Sequence, residues 1–308
     1  MVLEYRDDLV DVGEVRLHVA IAGSGPPIVF LHGFPQSWYC WRNVMQALAS
    51  DYTCIAPDLR GYGASDAPIG RAAYSKDRLA ADVAGLLRAL GHEKATVVGH
   101  DWGGGVAYQF AVDYPELLDR FAIVNMPYLH MPHALGPGQL RRSWYVFFFQ
   151  LPGLPERAML RDVTGLLARA LRGAAVHRSI FTDSVIEEYA RGFREPGRLS
   201  AAINYYRAFL REDRRLLRRD FGRVIMQRTS VIWGLNDPVL PASLTDGMHR
   251  FFPDVRFRFV PNCGHFVPEE APGAVISALR ELLEEPNGGC PPVTRWLALD
   301  GSPLQAPP

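Results

Sequence analysis

The 308-residue sequence has few cysteines, no net charge and no long hydrophobic run. Its four cysteines are scattered without a CxxC pair, which argues against a disulfide framework and a cysteine-based metal site. Basic and acidic residues number 33 each, so net charge favours neither nucleic acid nor an anionic membrane as a partner. No apolar run is long enough to span a bilayer, and the polar N-terminus does not resemble a secretory signal. We therefore expect a cytoplasmic protein without nucleic-acid or membrane partners.

Strand and helix patterns alternate over the first 125 residues. The predicted strands cover residues 15–22, 28–31, 52–57, 95–99 and 121–124, and the predicted helices cover 41–48, 76–90 and 106–112. The run Ile-Val-Phe-Leu at 28–31 is typical of a strand that is buried on both faces. This alternation predicts a parallel sheet with helices on both faces.

The alternation stops after Asn125 and resumes near residue 223. Only helical segments and loops are predicted between these points, whereas strands at 230–233 and 255–260 and a helix at 269–283 follow. We therefore predict four parts: an α/β core at 1–125, a helical insertion at 126–222, the rest of the core at 223–285, and a tail at 286–308. The tail is rich in proline and glycine, and only Trp296 and Leu297 offer side chains for local docking.

The stretch from Arg141 to Arg228 contains 18 arginines and no lysine, against nine acidic residues. One interpretation is that it attracts an anionic substrate or surface. The other is a set of solvated helix faces with ion pairs one turn apart, which we favour because it is the commoner fate of such patterns.

The segment 99–103, GHDWG, follows a predicted strand and precedes a predicted helix. This is the context of a nucleophile elbow, a tight turn that presents its central side chain above the sheet. The central residue here is Asp101, where serine is usual. A carboxylate is ionised at neutral pH and can attack a saturated carbon to form an ester.

With this motif, the sequence from Leu9 to Leu283 resembles the α/β-hydrolase superfamily. The resemblance is to the branch that contains epoxide hydrolases and the haloalkane and haloacetate dehalogenases. It implies an eight-stranded, mostly parallel sheet flanked by helices, with a helical cap inserted after the sixth strand. The cap corresponds to the point where the alternation stops.

The segment 32–35, HGFP, follows the strand that ends at Leu31. By the resemblance, the backbone N–H groups of Phe34 and Trp102 form the oxyanion hole, and His32 and Pro35 contribute to the substrate pocket. The oxyanion hole would stabilise the intermediate formed when water attacks the ester of Asp101.

A general base is needed to release that ester. His265 is the best candidate among nine histidines, because it follows the last predicted strand and completes the chain order nucleophile, acid, histidine. The orienting acid is predicted to be Asp237, in the turn after the strand at 230–233. Asp254 is a weaker rival, since its position suits the start of the next strand.

The leaving group separates epoxide hydrolases from dehalogenases. An opening epoxide generates an alkoxide, and a protonated tyrosine can donate a hydrogen bond to it. Tyr145 and Tyr206 lie in sequence contexts that resemble the tyrosine pair of epoxide hydrolases, and Tyr205 is the alternative to Tyr206. We assign Trp144 and Tyr205 to the pocket.

Haloacetate dehalogenases differ by an arginine after the nucleophile, where this chain has Trp102. Haloalkane dehalogenases carry tryptophan there, and Trp144 could supply their second halide-binding indole. We therefore predict an epoxide hydrolase that forms a diol without metal or cofactor, with a dehalogenase as the alternative enzyme. A catalytically silent binding protein is the non-enzymatic alternative, and the sequence leaves monomer and homodimer both open.

Overall fold

The computed structural model describes residues 5–131, 137–284 and 296–297. Nine strands form one sheet, and they are, in chain order, β1 (Arg6–Asp11), β2 (Arg16–Ala22), β3 (Pro27–Leu31), β4 (Thr53–Pro57), β5 (Ala95–His100), β6 (Leu118–Val124), β7 (Thr229–Gly234), β8 (Val255–Val260) and β9 (Trp296–Leu297). Each predicted strand is present, with ends that shift by up to three residues.

The strand order across the sheet is β1-β2-β4-β3-β5-β6-β7-β8-β9. Strand β2 runs antiparallel to its neighbours β1 and β4, and all other neighbouring pairs are parallel. The predicted mostly parallel sheet is confirmed. The two-residue β9 extends the expected eight strands to nine, because the chain at Trp296 pairs with Phe257 of β8.

Burial explains which strands the sequence revealed. Residues 28–31 of the central strand β3 are completely buried, as expected for a strand covered on both faces. Strand β1 escaped prediction because it lies at the sheet edge and alternates between exposed and half-buried residues. Its sequence, RDDLVD, carries too few apolar residues to stand out from a loop.

Twelve α-helices surround the sheet in the described residues. They are α1 (Arg42–Leu48), α2 (Lys76–Ala89), α3 (Trp102–Asp113), α4 (Pro137–Arg142), α5 (Trp144–Phe148), α6 (Leu154–Leu160), α7 (Val163–Ala174), α8 (Asp183–Arg194), α9 (Arg198–Arg211), α10 (Arg214–Arg219), α11 (Val267–Glu270) and α12 (Pro272–Glu284). The single helix predicted at 269–283 is wrong: Pro272 divides it into α11 and α12, because a residue that precedes proline avoids helical geometry.

Helices α4 to α10 lie between β6 and β7, and no strand occurs in the described part of residues 125–228. At least eight arginines of this stretch form ion pairs with acidic residues, namely Arg169, Arg172, Arg191, Arg194, Arg207, Arg215, Arg219 and Arg228. Only the Arg191–Glu188 pair lies one turn apart, and Arg207 and Arg228 are largely buried, so the expected ion pairs along solvated helix faces are mostly replaced by pairs between different segments.

Among the described residues, no helix is long and apolar enough to cross a membrane. No group of three or more potential metal ligands occurs among them either. Cys40, Cys54 and Cys263 are buried free thiols, and Cys290 lies outside the described residues.

Candidate active site

Asp101 occupies the sharp turn between β5 and α3. Its backbone angles, φ 50° and ψ −123°, are unfavourable for a residue with a side chain, and such strain costs roughly 1–3 kcal/mol. The flanking glycines make the turn possible: a Cβ atom on Gly103 would overlap the carbonyl oxygen of Leu31, and one on Gly99 would overlap that of Gly103. The segment therefore has the geometry of the predicted elbow.

The carboxylate of Asp101 is held by backbone donors. The N–H of Phe34 donates to Oδ1 at 2.9 Å. Burial would raise the pKa of Asp101. The neighbouring His265 lowers this pKa, the backbone N–H of Trp102 lowers it further, and the net result is a pKa below the usual value. Both predicted oxyanion-hole residues thus direct backbone N–H groups towards this side chain.

His265 lies in the loop after β8, close to two carboxylates. Its Nε2 is 3.6 Å from Oδ2 of Asp101, and its Nδ1 is 2.8 Å from Oδ2 of Asp237. Burial would lower the pKa of His265, but Asp237 and Asp101 together raise it to about 10. The imidazole is therefore protonated at neutral pH while Asp101 carries its charge.

Asp237 follows β7, and both oxygens of its carboxylate accept hydrogen bonds from neighbouring groups. Its Oδ1 accepts the N–H groups of Val239 and Leu240 at 2.7 and 2.9 Å, and its Oδ2 accepts the side-chain amide of Asn125 at 2.6 Å. The Asn125 side chain also accepts the N–H of Gly234 at 3.3 Å. No motif in the sequence indicated this role for Asn125, which has a φ of 46° just after β6.

Asp254, the rival acid, does not join this arrangement. It precedes β8, where its carboxylate receives a 3.0 Å hydrogen bond from Arg228. The structure thus brings together Asp101, Asp237 and His265 at the C-terminal ends of β5, β7 and β8, where ligands bind in open parallel sheets.

Glu270 connects the His265 loop to the inserted helices. Its two carboxylate oxygens accept four backbone N–H groups, those of Gly264, Phe266, Val176 and His177. The N–H of His265 donates to the carbonyl of Ala174 at 2.9 Å. A Cβ atom on Gly264 would overlap that same carbonyl, so the loop packs tightly against the end of α7. No sequence motif pointed to Glu270.

Two further histidines support the loops without facing the substrate. Burial lowers the pKa of His100 to about 4, so it is neutral, and its Nε2–H donates to the carbonyl of His265 at 2.9 Å. His32 accepts the N–H of Leu59 at Nε2, at 3.0 Å, so its other ring nitrogen carries the proton and donates to Gly33. His32 was assigned to the pocket, but it lies outside the cavity lining.

A cavity of about 500 Å³ opens above Asp101 and His265. Its other lining residues, mostly apolar, come from the core loops and from the inserted helices: Phe34, Pro35, Arg142, Trp144, Tyr145, Phe148, Phe149, Met159, Leu166, Arg169, Ala170, Gly173, Ala174, Tyr206, Pro238, Val239 and Phe266. Of the residues assigned to the pocket, Pro35 and Trp144 line it.

Tyr145 and Tyr206 are neighbours in the wall of this cavity. Their rings meet edge to face, with centroids 5.7 Å apart. Burial, reinforced by the nearby charge of Asp101, raises the pKa of both phenols, so both stay protonated at neutral pH. Tyr206 also packs edge to face against Phe34 and Trp102, which places it beside the turn that carries Asp101.

Tyr205 points elsewhere. It is fully buried outside the cavity lining, and its hydroxyl donates to the carbonyl of Arg60 at 2.8 Å. Its assignment to the pocket, and its candidacy as the donor in place of Tyr206, therefore find no support in this geometry. The neighbouring Lys76, also unanticipated, is buried with its ammonium 4.2 Å from the Trp102 ring and 3.5 Å from Asp213.

Comparison with known proteins identifies the family of this fold. The family model of the alpha/beta hydrolase fold matches residues 26–272. The chain is 36% identical over 270 residues to the soluble epoxide hydrolase of Corynebacterium sp. (strain C12), covering 85% of this chain and 91% of that protein. It is 33% identical over 290 residues to the fluoroacetate dehalogenase of Burkholderia sp., covering 91% and 94%.

Among solved structures, an epoxide hydrolase from an endophytic Streptomyces superposes with a TM-score of 0.82 at 30% sequence identity. The superposition covers 92% of this chain and 96% of that one. The chain belongs to the family of proteins with the alpha/beta hydrolase fold.

Proposed function

We propose that this protein is an epoxide hydrolase, which converts an epoxide to a vicinal diol through a covalent ester on Asp101. One observation carries the proposal: an ionised Asp101 and two protonated tyrosines, Tyr145 and Tyr206, lie around one mostly apolar cavity. That arrangement supplies a nucleophile for the epoxide carbon and hydrogen-bond donors for the epoxide oxygen. The relatives named above include epoxide hydrolases, and their names support the same chemistry for this protein.

In the first step, Oδ2 of Asp101 attacks an epoxide carbon and the carbon–oxygen bond breaks. The other oxygen, Oδ1, is occupied by the N–H of Phe34, so Oδ2 is the free nucleophile. The two tyrosine hydroxyls donate hydrogen bonds to the developing alkoxide, which takes up the proton that the His265 imidazolium gives up once the ester has formed. Their raised pKa suits this role, because an acceptor as basic as an alkoxide needs a donor that remains protonated in the free enzyme.

In the second step, the charge change on Asp101 activates His265. Esterification removes the carboxylate charge that helps to hold the imidazole protonated, so the pKa of His265 falls and the imidazolium gives its proton to the alkoxide of the product. The neutral imidazole can then accept a proton from water. The resulting hydroxide attacks Cγ of Asp101, and the N–H groups of Phe34 and Trp102 stabilise the oxyanion. The Cγ–O bond to the substrate breaks, the diol leaves, and the carboxylate of Asp101 and the imidazolium are restored.

A dehalogenase is the second candidate. Trp102 follows the nucleophile, Trp144 lines the cavity, and Arg142 and Arg169 on its wall could attract a carboxylate. The fluoroacetate dehalogenase among the relatives supports this candidate too. A departing halide, however, needs no proton, so the buried pair Tyr145 and Tyr206 favours epoxide opening.

Two experiments test the proposal. The purified protein is assayed side by side on styrene oxide, an aliphatic epoxide, a bromoalkane and fluoroacetate; we expect diol from the epoxides, and halide release alone would favour the second candidate. The variant His265→Gln is then incubated with a reactive epoxide and its mass is measured. We expect an ester to accumulate on Asp101, because alkylation proceeds without the base; an unmodified variant would contradict the mechanism.

A further inference from the structure

Helices α4 and α5 carry an apolar stripe on their outer side. Its members, Leu140, Trp144, Phe147 and Leu151, are exposed to 45%, 62%, 55% and 45%. They recur every three or four residues, as on one side of a helix, although Ser143, with φ −92° and ψ 18°, separates α4 from α5 and Leu151 follows the end of α5. This segment thus presents four large apolar side chains to the surroundings.

This outward stripe is additional to the inward face of the same helices. Tyr145 and Phe149, on the other side, line the cavity above Asp101. A soluble surface rarely concentrates large apolar residues in this way unless they contact another surface. Leu154 and Leu160 of α6 are also exposed, to 51% and 56%, so the apolar character extends beyond the stripe.

Positive charge accompanies the stripe. Arg141, Arg142, Arg157 and Arg161 are exposed, and none of them forms an ion pair with the described residues. The only acidic residue within 137–161 is Glu156, whose carboxylate is taken up by Arg207 at 2.7 Å. The zero net charge of the whole chain therefore conceals a local excess of about four positive charges.

We propose that the apolar stripe and its four arginines form a docking surface for an anionic lipid surface. Apolar side chains would enter the interface while the guanidinium groups pair with lipid phosphates, as in peripheral helices that lie in the plane of a membrane. A second copy of the chain fits less well, because a twofold contact would bring the unpaired arginines of both copies together. Docking of this kind needs no membrane-spanning helix and revises the expectation drawn from net charge.

The docking surface also adjoins the cavity, since Trp144 of the stripe and Arg142, one of the four arginines, line it. If the proposed function holds, an apolar epoxide dissolved in lipid would reach Asp101 without crossing bulk water. Binding itself is independent of that chemistry, so lipid docking and epoxide turnover can fail separately.

The test is flotation of the full-length protein with vesicles. Mixed phosphatidylcholine–phosphatidylserine vesicles are compared with pure phosphatidylcholine vesicles, at low and high salt. We expect binding to the mixed vesicles that weakens with salt. The variant Arg141→Glu/Arg157→Glu should bind at least about thirtyfold more weakly, since each basic residue near such a surface contributes about fivefold. Phe147→Ser/Leu151→Ser should bind at least about tenfold more weakly.

The matched control is Arg214→Glu/Arg218→Glu, which makes the same charge change on α10, away from the stripe. It should bind the mixed vesicles within about threefold of the unsubstituted protein, and thermal unfolding checks that each variant is folded. The proposal is overturned if the unsubstituted protein does not float with the mixed vesicles, or if both charge variants lose binding equally. It is likewise overturned if Phe147→Ser/Leu151→Ser converts a dimer to a monomer, by light scattering, without changing flotation.

Discussion

The core side and the inserted side of the cavity are held in different ways. On the core side, directional hydrogen bonds from backbone N–H groups and Asn125 fix Asp101 and Asp237. On the inserted side, Tyr145 and Tyr206 are placed by ring packing in an apolar wall. Groups that exchange charge need fixed partners, whereas groups that only donate to the leaving oxygen need correct placement. We therefore expect the core side to tolerate substitution less.

The largest effect is expected at Asp237. In Asp237→Asn, one carboxylate oxygen becomes an NH₂ group. This NH₂ group must then face either an N–H donor that now bonds to the carboxylate or Nδ1 of His265. Either arrangement disfavours the tautomer that leaves Nε2 free as a base. Ester hydrolysis should slow by about 10⁴-fold, measured as single-turnover decay of the ester. The control Asp254→Asn should hydrolyse its ester at nearly the original rate, and equal losses in both variants would contradict the assignment.

The next effect concerns the two tyrosines on the inserted side. The double variant Tyr145→Phe/Tyr206→Phe keeps the ring packing but removes both donors, so epoxide opening should slow by about 10³-fold. The rate of ester formation is measured by rapid mixing. Tyr205→Phe is the matched control and should open epoxides normally, because its hydroxyl serves only the carbonyl of Arg60. Unchanged ring opening in the double variant would remove the role proposed for the pair.

A smaller effect is expected at Glu270, where the two sides meet. In Glu270→Gln, one carboxylate oxygen becomes an NH₂ group, which cannot accept the two backbone N–H groups that this oxygen now receives. The His265 loop should loosen, and ester hydrolysis should slow by about tenfold while ester formation changes little. Glu284→Gln, at the exposed end of α12, is the control. A uniform loss of both steps in Glu270→Gln would indicate a general structural defect instead.

The last prediction concerns stability and not a reaction rate. The pKa of His265 is about 10 in the folded protein against an ordinary value of 6.5. Between these values the folded protein binds more protons than the unfolded chain, so the contribution is fully present below pH 6.5 and is lost as pH rises through 10. Urea unfolding should show a stability decrease over this window that is weaker in His265→Gln. An identical slope in that variant would mean that another group is responsible.

The residues that carry charge could be predicted from the sequence, because their chemistry comes with local motifs. Asp101 lies in a glycine-flanked turn, and Asp237 and His265 follow strongly apolar strands. Tyr206 and Tyr205 were harder to separate, since adjacent helical residues point about 100° apart and only the packing of α9 decides which one faces the cavity. The structure assigns Tyr205 to Arg60 and Tyr206 to the cavity.

The supporting residues could not be predicted, for a physical reason. Asn125 and Glu270 both act through hydrogen bonds to segments that are distant in sequence. Asn125 bonds to Gly234 and Asp237, and Glu270 bonds to the chain just after α7. Nothing in their neighbouring residues reveals these long-range partners. The local excess of positive charge around the apolar stripe was hidden similarly, because composition sums over surfaces that the fold keeps apart.

Heavy-oxygen labelling tests the ester on Asp101 most directly. In H₂¹⁸O, a single turnover with excess enzyme should give unlabelled diol, since the second oxygen of the product comes from the carboxylate. Over repeated turnovers ¹⁸O should enter the peptide that contains Asp101 and not the one that contains Asp237. If the first diol already carries ¹⁸O and the Asp101 peptide never does, water attacks the epoxide directly and the account is wrong.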